Sequence, residues 1–230
     1  MVVSIYVGTD RWQRDSNAEA VLQYSIRKYS TEPVKIHWMR SGDPGFEVGV
    51  VGTEEVWGCG HDGSAAWPKR GWGTPFSCFR MAVPELANFE GIHIYLDADM
   101  VLLADISELL RLPRRRPWLS NNRQWTDVSV IDASAFKNLS WWPSIKQMRA
   151  SNQMMHAYRA LLAQHDFFDE SLPWEWNMRD QLLPNGKLLH YTSVPTQPYQ
   201  PYPSVQYYEH PSREVAAVWH DMEKEMHGIV

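Results

Sequence analysis

At 230 residues, with 44% hydrophobic and 21% charged side chains, the chain has the composition of one sizeable folded domain and not of a disordered segment. A formal charge of −5, with Arg114-Arg115-Arg116 as a single short basic run, argues against a nucleic-acid partner. No run approaches the roughly 20 apolar residues that span a bilayer, and Met1–Ile5 lacks the basic flank of a signal peptide, so a cytoplasmic protein with reduced Cys59 and Cys78 is expected.

Val2 to Val7 reads as a buried strand ended by Gly8. Ser16-Asn17-Ala18-Glu19 has the capping-box form, and Ala18, Val21, Leu22, Ser25, Ile26 and Tyr29 follow at helical spacing. Val34, Ile36 and Trp38 alternate as a second strand. Strand, helix, strand in 40 residues is a right-handed parallel βαβ unit, the opening of a doubly wound α/β fold. Ligands sit beyond the carboxyl ends of such strands, which puts Gly8, Thr9, Asp10, Arg11 and Trp12 at the binding edge. From Ser41 to Gly73 regular signals fade; Asp43-Pro44-Gly45 is a turn, and the stretch is either a lid or an elaborated surface. Thr74 can cap a helix with Pro75 at its first position, and Phe76, Phe79 and Val83 share a face of it.

Ile92 to Leu103 holds the most specific pattern. Apolar residues run to Leu96, and Asp97 and Asp99 then flank Ala98, so that in an extended chain both carboxylates leave one face. Two like charges so close repel, and a divalent cation is the partner that lets both stay ionised. The alternative is a plain turn where a strand ends.

The string Tyr95-Leu96-Asp97-Ala98-Asp99, followed by Val101-Leu102-Leu103 and an acidic helix start at Asp105, resembles the D-x-D strand of nucleotide-sugar glycosyltransferases of the GT-A fold, the retaining family 8 (glycogenin-like) enzymes in particular. The resemblance implies an α/β, Rossmann-like, mixed but mainly parallel sheet flanked by helices. It implies one domain, with residues 1–105 as the nucleotide-sugar half and 106–230 as the acceptor half. Asp97, Ala98 and Asp99 would lie against Mn2+ or Mg2+ and the diphosphate of a UDP-sugar. Gly8, Thr9 and Asp10 would hold uracil and ribose, with Trp12 stacked on the base; a loop aspartate and a wedge tryptophan are the plain alternatives. Arg80 would reach the donor sugar or diphosphate, or else be a surface arginine paired with Glu85 or Glu90.

Trp118 to Ser120 begins another strand, and Val128 to Asp132 continues the sheet. Where the family has Asn-(Ala/Ser)-Gly-Val against the sugar, this chain has Thr126-Asp127-Val128-Ser129, which makes Asp127 a catalytic candidate. Helices are expected over Ser144 to Arg149 and Asn152 to Ala163. Asn152-Gln153 stands where the family carries Asp-Gln; Asn152 cannot ionise, while Gln153 can orient sugar or acceptor, and an ordinary helix start is the alternative. Leu172-Pro173-Trp174-Glu175-Trp176-Asn177 is similar to a family segment, and Lys187 to Tyr191 to the strand that ends in the third metal ligand, here His190. Imidazole with two carboxylates suits Mn2+. The family lysine that clamps the diphosphate is missing between Tyr191 and Tyr208, which leaves the metal, Arg80, Lys187 or Arg179 to meet that charge.

Pro195 to Pro203 is an extended, tyrosine-laced run. Ser212 caps a last helix whose face of Val215, Val218, Trp219, Met222 and Met226 docks on the body or makes a homodimer contact. The implied activity is metal-dependent transfer of a sugar from a UDP-sugar to a glycan or other hydroxyl acceptor, with retention. The alternatives are an inverting enzyme with Asp127 or Asp132 as base, and a non-catalytic nucleotide-sugar or glycan binder.

Overall fold

The structure, a computed structural model, describes residues 2–49, 55–58, 74, 76–153 and 155–229. The lid reading of 41–73, Cys59 and the Pro75 helix start lie wholly or largely outside them.

β1 (Val3–Thr9), α1 (Arg11–Asp15), α2 (Ala18–Tyr29) and β2 (Val34–Arg40) form the expected βαβ unit, with Val3 to Thr9 parallel to Val34 to Arg40 in unbroken register. Val3, Ile5 and Val7 pack under Leu22 and Ile26 of α2, while Tyr6 faces the opposite cluster, so β1 is covered on both faces and reads as a continuous apolar run. The capping box does not form. Asn17 enters α2 in the left-handed conformation (φ 67) with no side-chain cap, and Ser16 closes α1. The Glu19 carboxylate instead takes a bidentate bond from the Arg40 guanidinium and one from the Thr9 hydroxyl, and a charge-assisted pair outweighs a reach-back bond to one amide.

β3 (Val48–Gly49) and β4 (Trp57–Gly58) make a small parallel pair beside the body. A 3₁₀ turn at Phe79–Ala82 runs into α3 (Val83–Leu86), a tighter start than the Thr74-capped helix, and Thr74 instead shares a hydroxyl bond with Ser77. Then come β5 (Ile92–Asp97), β6 (Met100–Leu102), α4 (Glu108–Arg111), β7 (Trp118–Leu119) and β8 (Ser129–Asp132). They are followed by α5 (Ile145–Ser151), α6 (Met155–Gln164), β9 (Phe168–Asp169), β10 (Met178–Arg179), β11 (Leu188–His190) and α7 (Arg213–Met226). Ser144 caps α5 through a complete capping box with Gln147.

The main sheet has the order β2-β1-β5-β8-β7-β9. Its pairs are parallel except at β8, which runs against both β5 and β7. Helices cover it, as expected for a mixed, mainly parallel α/β sheet. A second sheet, β10-β11-β6, carries one decisive register: β11 lies antiparallel to β6 with His190 opposite Met100. α7 turns Val215, Trp219 and Met222 onto Ala18, Val21 and Leu189, so its apolar face belongs to the body. Among the described residues no helix is long and apolar enough to cross a membrane.

Gly8 is needed for space. A Cβ there would fall 2.2 Å from the Tyr95 hydroxyl oxygen and 3.2 Å from the Phe76 ring. Gly8→Ala must displace Tyr95, a small-to-large change worth about 1–3 kcal/mol. At about 2–4 °C per kcal/mol for a chain of this size, calorimetry should show a melting point lower by roughly 2–12 °C. A melting point within about one degree of wild type would mean that Tyr95 yields freely.

Candidate metal centre

β1 and β5 are parallel neighbours with Gly8 opposite Asp97, and the Ala98 amide donates to the Gly8 carbonyl at 3.0 Å. This ladder carries β5 to the sheet rim, where Asp97 and Asp99 leave the chain. The β6–β11 register then delivers His190 from 91 residues downstream. One ligand atom from each of Asp97, Asp99 and His190 lies within 4.8 Å of the other two, and all three residues are buried.

Asp97 is held from behind. Arg80 Nη2 donates to both carboxylate oxygens (3.0 and 2.8 Å), and the Tyr95 hydroxyl donates to Oδ1 at 2.5 Å. The remaining Arg80 donors go to the Ser77 carbonyl, the Thr126 hydroxyl and Asp127. Arg80 is thus a buried tether of two carboxylates: it is not a surface arginine paired with Glu85 or Glu90, and the donors expected to reach the donor sugar or diphosphate are spent within the protein. Asp127 is also bonded by Arg179 and lies 3.7 Å from His190 Nδ1.

Ionisation follows these contacts. Burial pushes the Asp97 carboxyl up to about 7 against the pull of Arg80, with Asp127 and Asp99 adding to the rise. Burial likewise opposes the charge on Asp127, but His190, Arg80 and Arg179 together keep it below the usual carboxylate range. For His190 burial lowers the pKa, and the neighbouring Asp99 and Asp127 more than reverse this.

The donor set fits a divalent cation. Asp99 Oδ1 is buried without a hydrogen bond, although His190 Nε2 is 3.2 Å away. Three carboxylates, Asp97, Asp99 and Asp127, face two guanidinium groups, Arg80 and Arg179, which leaves a negative excess when His190 is neutral. Two carboxylates and one imidazole are the O,O,N set that Mn2+ accepts.

The other expected residues are placed as follows. Thr9 is buried and bonded to Glu19. Asp10 caps α1 through the amides of Trp12 and Gln13 (both 2.9 Å), and its other oxygen accepts from the Tyr202 hydroxyl at 3.0 Å. Trp12 is half-buried under the Arg11 guanidinium, 4.1 Å from its ring centroid. Asn152 is buried at the end of α5 in the left-handed conformation (φ 45), and Gln153 after it is exposed. Lys187 is paired with Glu108. Tyr95, Gln197 and Tyr202 were not expected here. Tyr95 was within reach of the sequence, because it stands two residues before Asp97 and shares its face. Gln197, which donates to the Tyr191 carbonyl (2.6 Å) and Asp99 (3.4 Å), and Tyr202 come from the proline-rich run, whose path has no local signature.

No protein-family model matches the chain, and no curated protein matches it by sequence. Solved structures do match. The glycosyltransferase GlyE of Streptococcus pneumoniae TIGR4 superposes with TM-score 0.58 at 14% identity, over 98% of this chain; its apo form gives 0.55 at 15% identity over 99%. The chain spans 63% of the length of either GlyE structure. The galactosyltransferase LgtC, in complex with donor and acceptor sugar analogs, matches with TM-score 0.56 at 10% identity, over 98% of this chain and 96% of LgtC. The fold is therefore that of the GT-A glycosyltransferases.

Burial raises Asp10 to about 6, against hydrogen bonds from Gln13, Tyr202 and Trp12 that lower it. Between the usual carboxylate value and about 6 the folded state holds a proton that the unfolded chain lacks. This contribution favours the fold at low pH and is lost as pH rises through about 6. Tyr202→Phe removes a bond worth about 1.5–3 kcal/mol to the ionised carboxylate and about 0.5–1.5 kcal/mol to a neutral one. Melting curves should therefore show a larger loss at about pH 7.5 than at about pH 5; equal losses would separate Tyr202 from the charge on Asp10.

Proposed function

We propose that the chain is a metal-dependent glycosyltransferase that moves a sugar from a UDP-sugar to a glycan or other hydroxyl acceptor with retention of configuration. The observation that carries this reading is the meeting of Asp97 and Asp99 with His190, remote from them in sequence, within 4.8 Å of one another at the rim of a GT-A sheet. The fold shared with the glycosyltransferase GlyE and the galactosyltransferase LgtC supports it.

Asp97, Asp99 and His190 would hold Mn2+ or Mg2+. When bound, the cation supplies charge neutralisation of the diphosphate and stabilises UDP as it departs. Arg80 and Tyr95 keep the Asp97 carboxylate aimed, and Arg80 opposes the rise that burial gives its pKa, which eases loss of the proton to a cation. Of the expected nucleotide edge of Gly8, Thr9, Asp10, Trp12 and Ala98, half-buried Trp12 would meet the base, while buried Thr9 and Asp10, spent on Glu19, Tyr202 and the α1 amides, would shape the edge from behind. Asn152 and Gln153 orient the transferred sugar through amide groups. Asn152 offers no carboxylate nucleophile, which favours attack by the acceptor on the face that UDP leaves, with a UDP oxygen taking the proton. Asp127 is a poor general base because Arg80 and Arg179 stabilise its ionised form, and this weighs against an inverting reaction.

Incubation with UDP-sugars and Mn2+, with UDP release and product anomer followed by NMR, tests the reading. Asp99→Ala should lower turnover by about 100-fold or more, and EDTA should abolish it. Turnover unchanged by both would overturn the metal-dependent reading, and a β-linked product from an α-donor would overturn retention.

A further inference from the structure

His190 is buried, and its ring is reached by a chain of amides whose polarity can be read from one end. Asn121 Nδ2 donates to the carbonyl oxygens of Leu172 (3.0 Å) and Pro173 (3.4 Å). A backbone carbonyl can only accept, so the Asn121 amide must stand with its nitrogen toward Leu172 and its oxygen away from it. That oxygen accepts from Asn177 Nδ2 at 2.8 Å, which turns Asn177 Oδ1 toward the imidazole, 2.9 Å from Nδ1. An amide oxygen is again an acceptor only, so Nδ1 carries the hydrogen. In the neutral ring the lone pair is then on Nε2, the nitrogen 3.2 Å from the hydrogen-bond-free Asp99 Oδ1.

From this geometry we propose that Asn121 and Asn177 are positioning residues: a one-way amide relay, anchored on the Leu172 carbonyl, that fixes the His190 tautomer and ring plane so that Nε2 serves as a cation ligand. Both amides are buried, Asn177 completely, so neither can exchange its partner for water. Asn177 sits between the 3₁₀ turn at Trp174–Trp176 and β10, whose Arg179 pairs in register with His190 of β11. The relay is therefore built into the same small sheet that presents the ring. An imidazole ligand usually donates its second N–H to a fixed acceptor, and loss of such an acceptor weakens metal binding by about 10–100-fold. Asp127 Oδ2, at 3.7 Å, is a second acceptor near Nδ1, but the Asn177 oxygen is closer and Arg179 holds Asp127.

The inference rests on the metal reading above, and two separate signals test the two. In ¹⁵N-labelled, metal-free protein at alkaline pH, the imidazole ¹⁵N–¹H spectrum should show His190 protonated at Nδ1 and bare at Nε2. Free Mn2+ measured by electron paramagnetic resonance, with and without UDP, should give a dissociation constant about 10–100-fold higher for Asn177→Leu. Asn121→Leu, which touches neither ring nor cation, should lose affinity in the same direction and show mixed tautomers. A wild-type ring protonated at Nε2 would overturn the relay without need of any variant. So would folded variants with wild-type tautomer and Mn2+ affinity within about twofold of wild type. Failure of the wild-type protein to take up Mn2+ at all would instead overturn the metal reading.

Discussion

Arg80 donates to Asp97 and Asp127 from a position almost without solvent, and the rest of the site depends on that arrangement. Taking a charge out of water costs several kcal/mol per ion unless partners replace the solvent. Arg80 spends every donor group on a named acceptor, and its cation in turn makes two buried carboxylates tolerable in one place. Asp99 has no such cation behind it. Its partners are the His190 ring and the more distant Gln197 amide, and one of its oxygens is left without a hydrogen bond. A site that is fully compensated on one side and short of positive charge on the other is one in which a divalent cation completes the electrostatics.

The topology explains how the third ligand arrives. The parallel neighbour of β5, β1, is followed by the helix α1, whereas the chain leaving β5 runs through Ala98 and Asp99 into β6 instead of entering a helix. β6 then offers a free edge to β11, and antiparallel pairing sets His190 beside Met100, the residue after Asp99. A slip of one residue in that register would turn the imidazole to the opposite face of the small sheet. Leu188 and Leu189 are buried on either side of the strand, in separate clusters, which penalises such a slip.

Much of this was legible beforehand. The βαβ opening, the strand that ends in Asp97, the short strand that ends in His190 and the Ser212-capped final helix all rest on local periodicity and capping, and all stand in the structure. The Ser16–Glu19 capping box failed because Glu19 met Arg40 across 21 residues, a partner that no window of sequence reveals. Tyr202 over Asp10 and Gln197 beside Asp99 were invisible for a related reason: the proline-rich run has no periodicity that reports what its side chains face.

Residue type and spacing alone determined that two carboxylates would emerge together from the end of a buried strand, since alternation along β structure and the cost of buried like charge are local properties. The sequence also carried enough order of segments to point to a GT-A sheet. Only the tertiary structure decided that Arg80 faces inward to Asp97, that Asp127 is tied to two arginines, and that the Asn177 amide oxygen stands 2.9 Å from His190 Nδ1. Those facts depend on distances between residues tens of positions apart. They are set by strand register and by hydrogen-bond polarity passed from one buried group to the next, neither of which a linear pattern encodes.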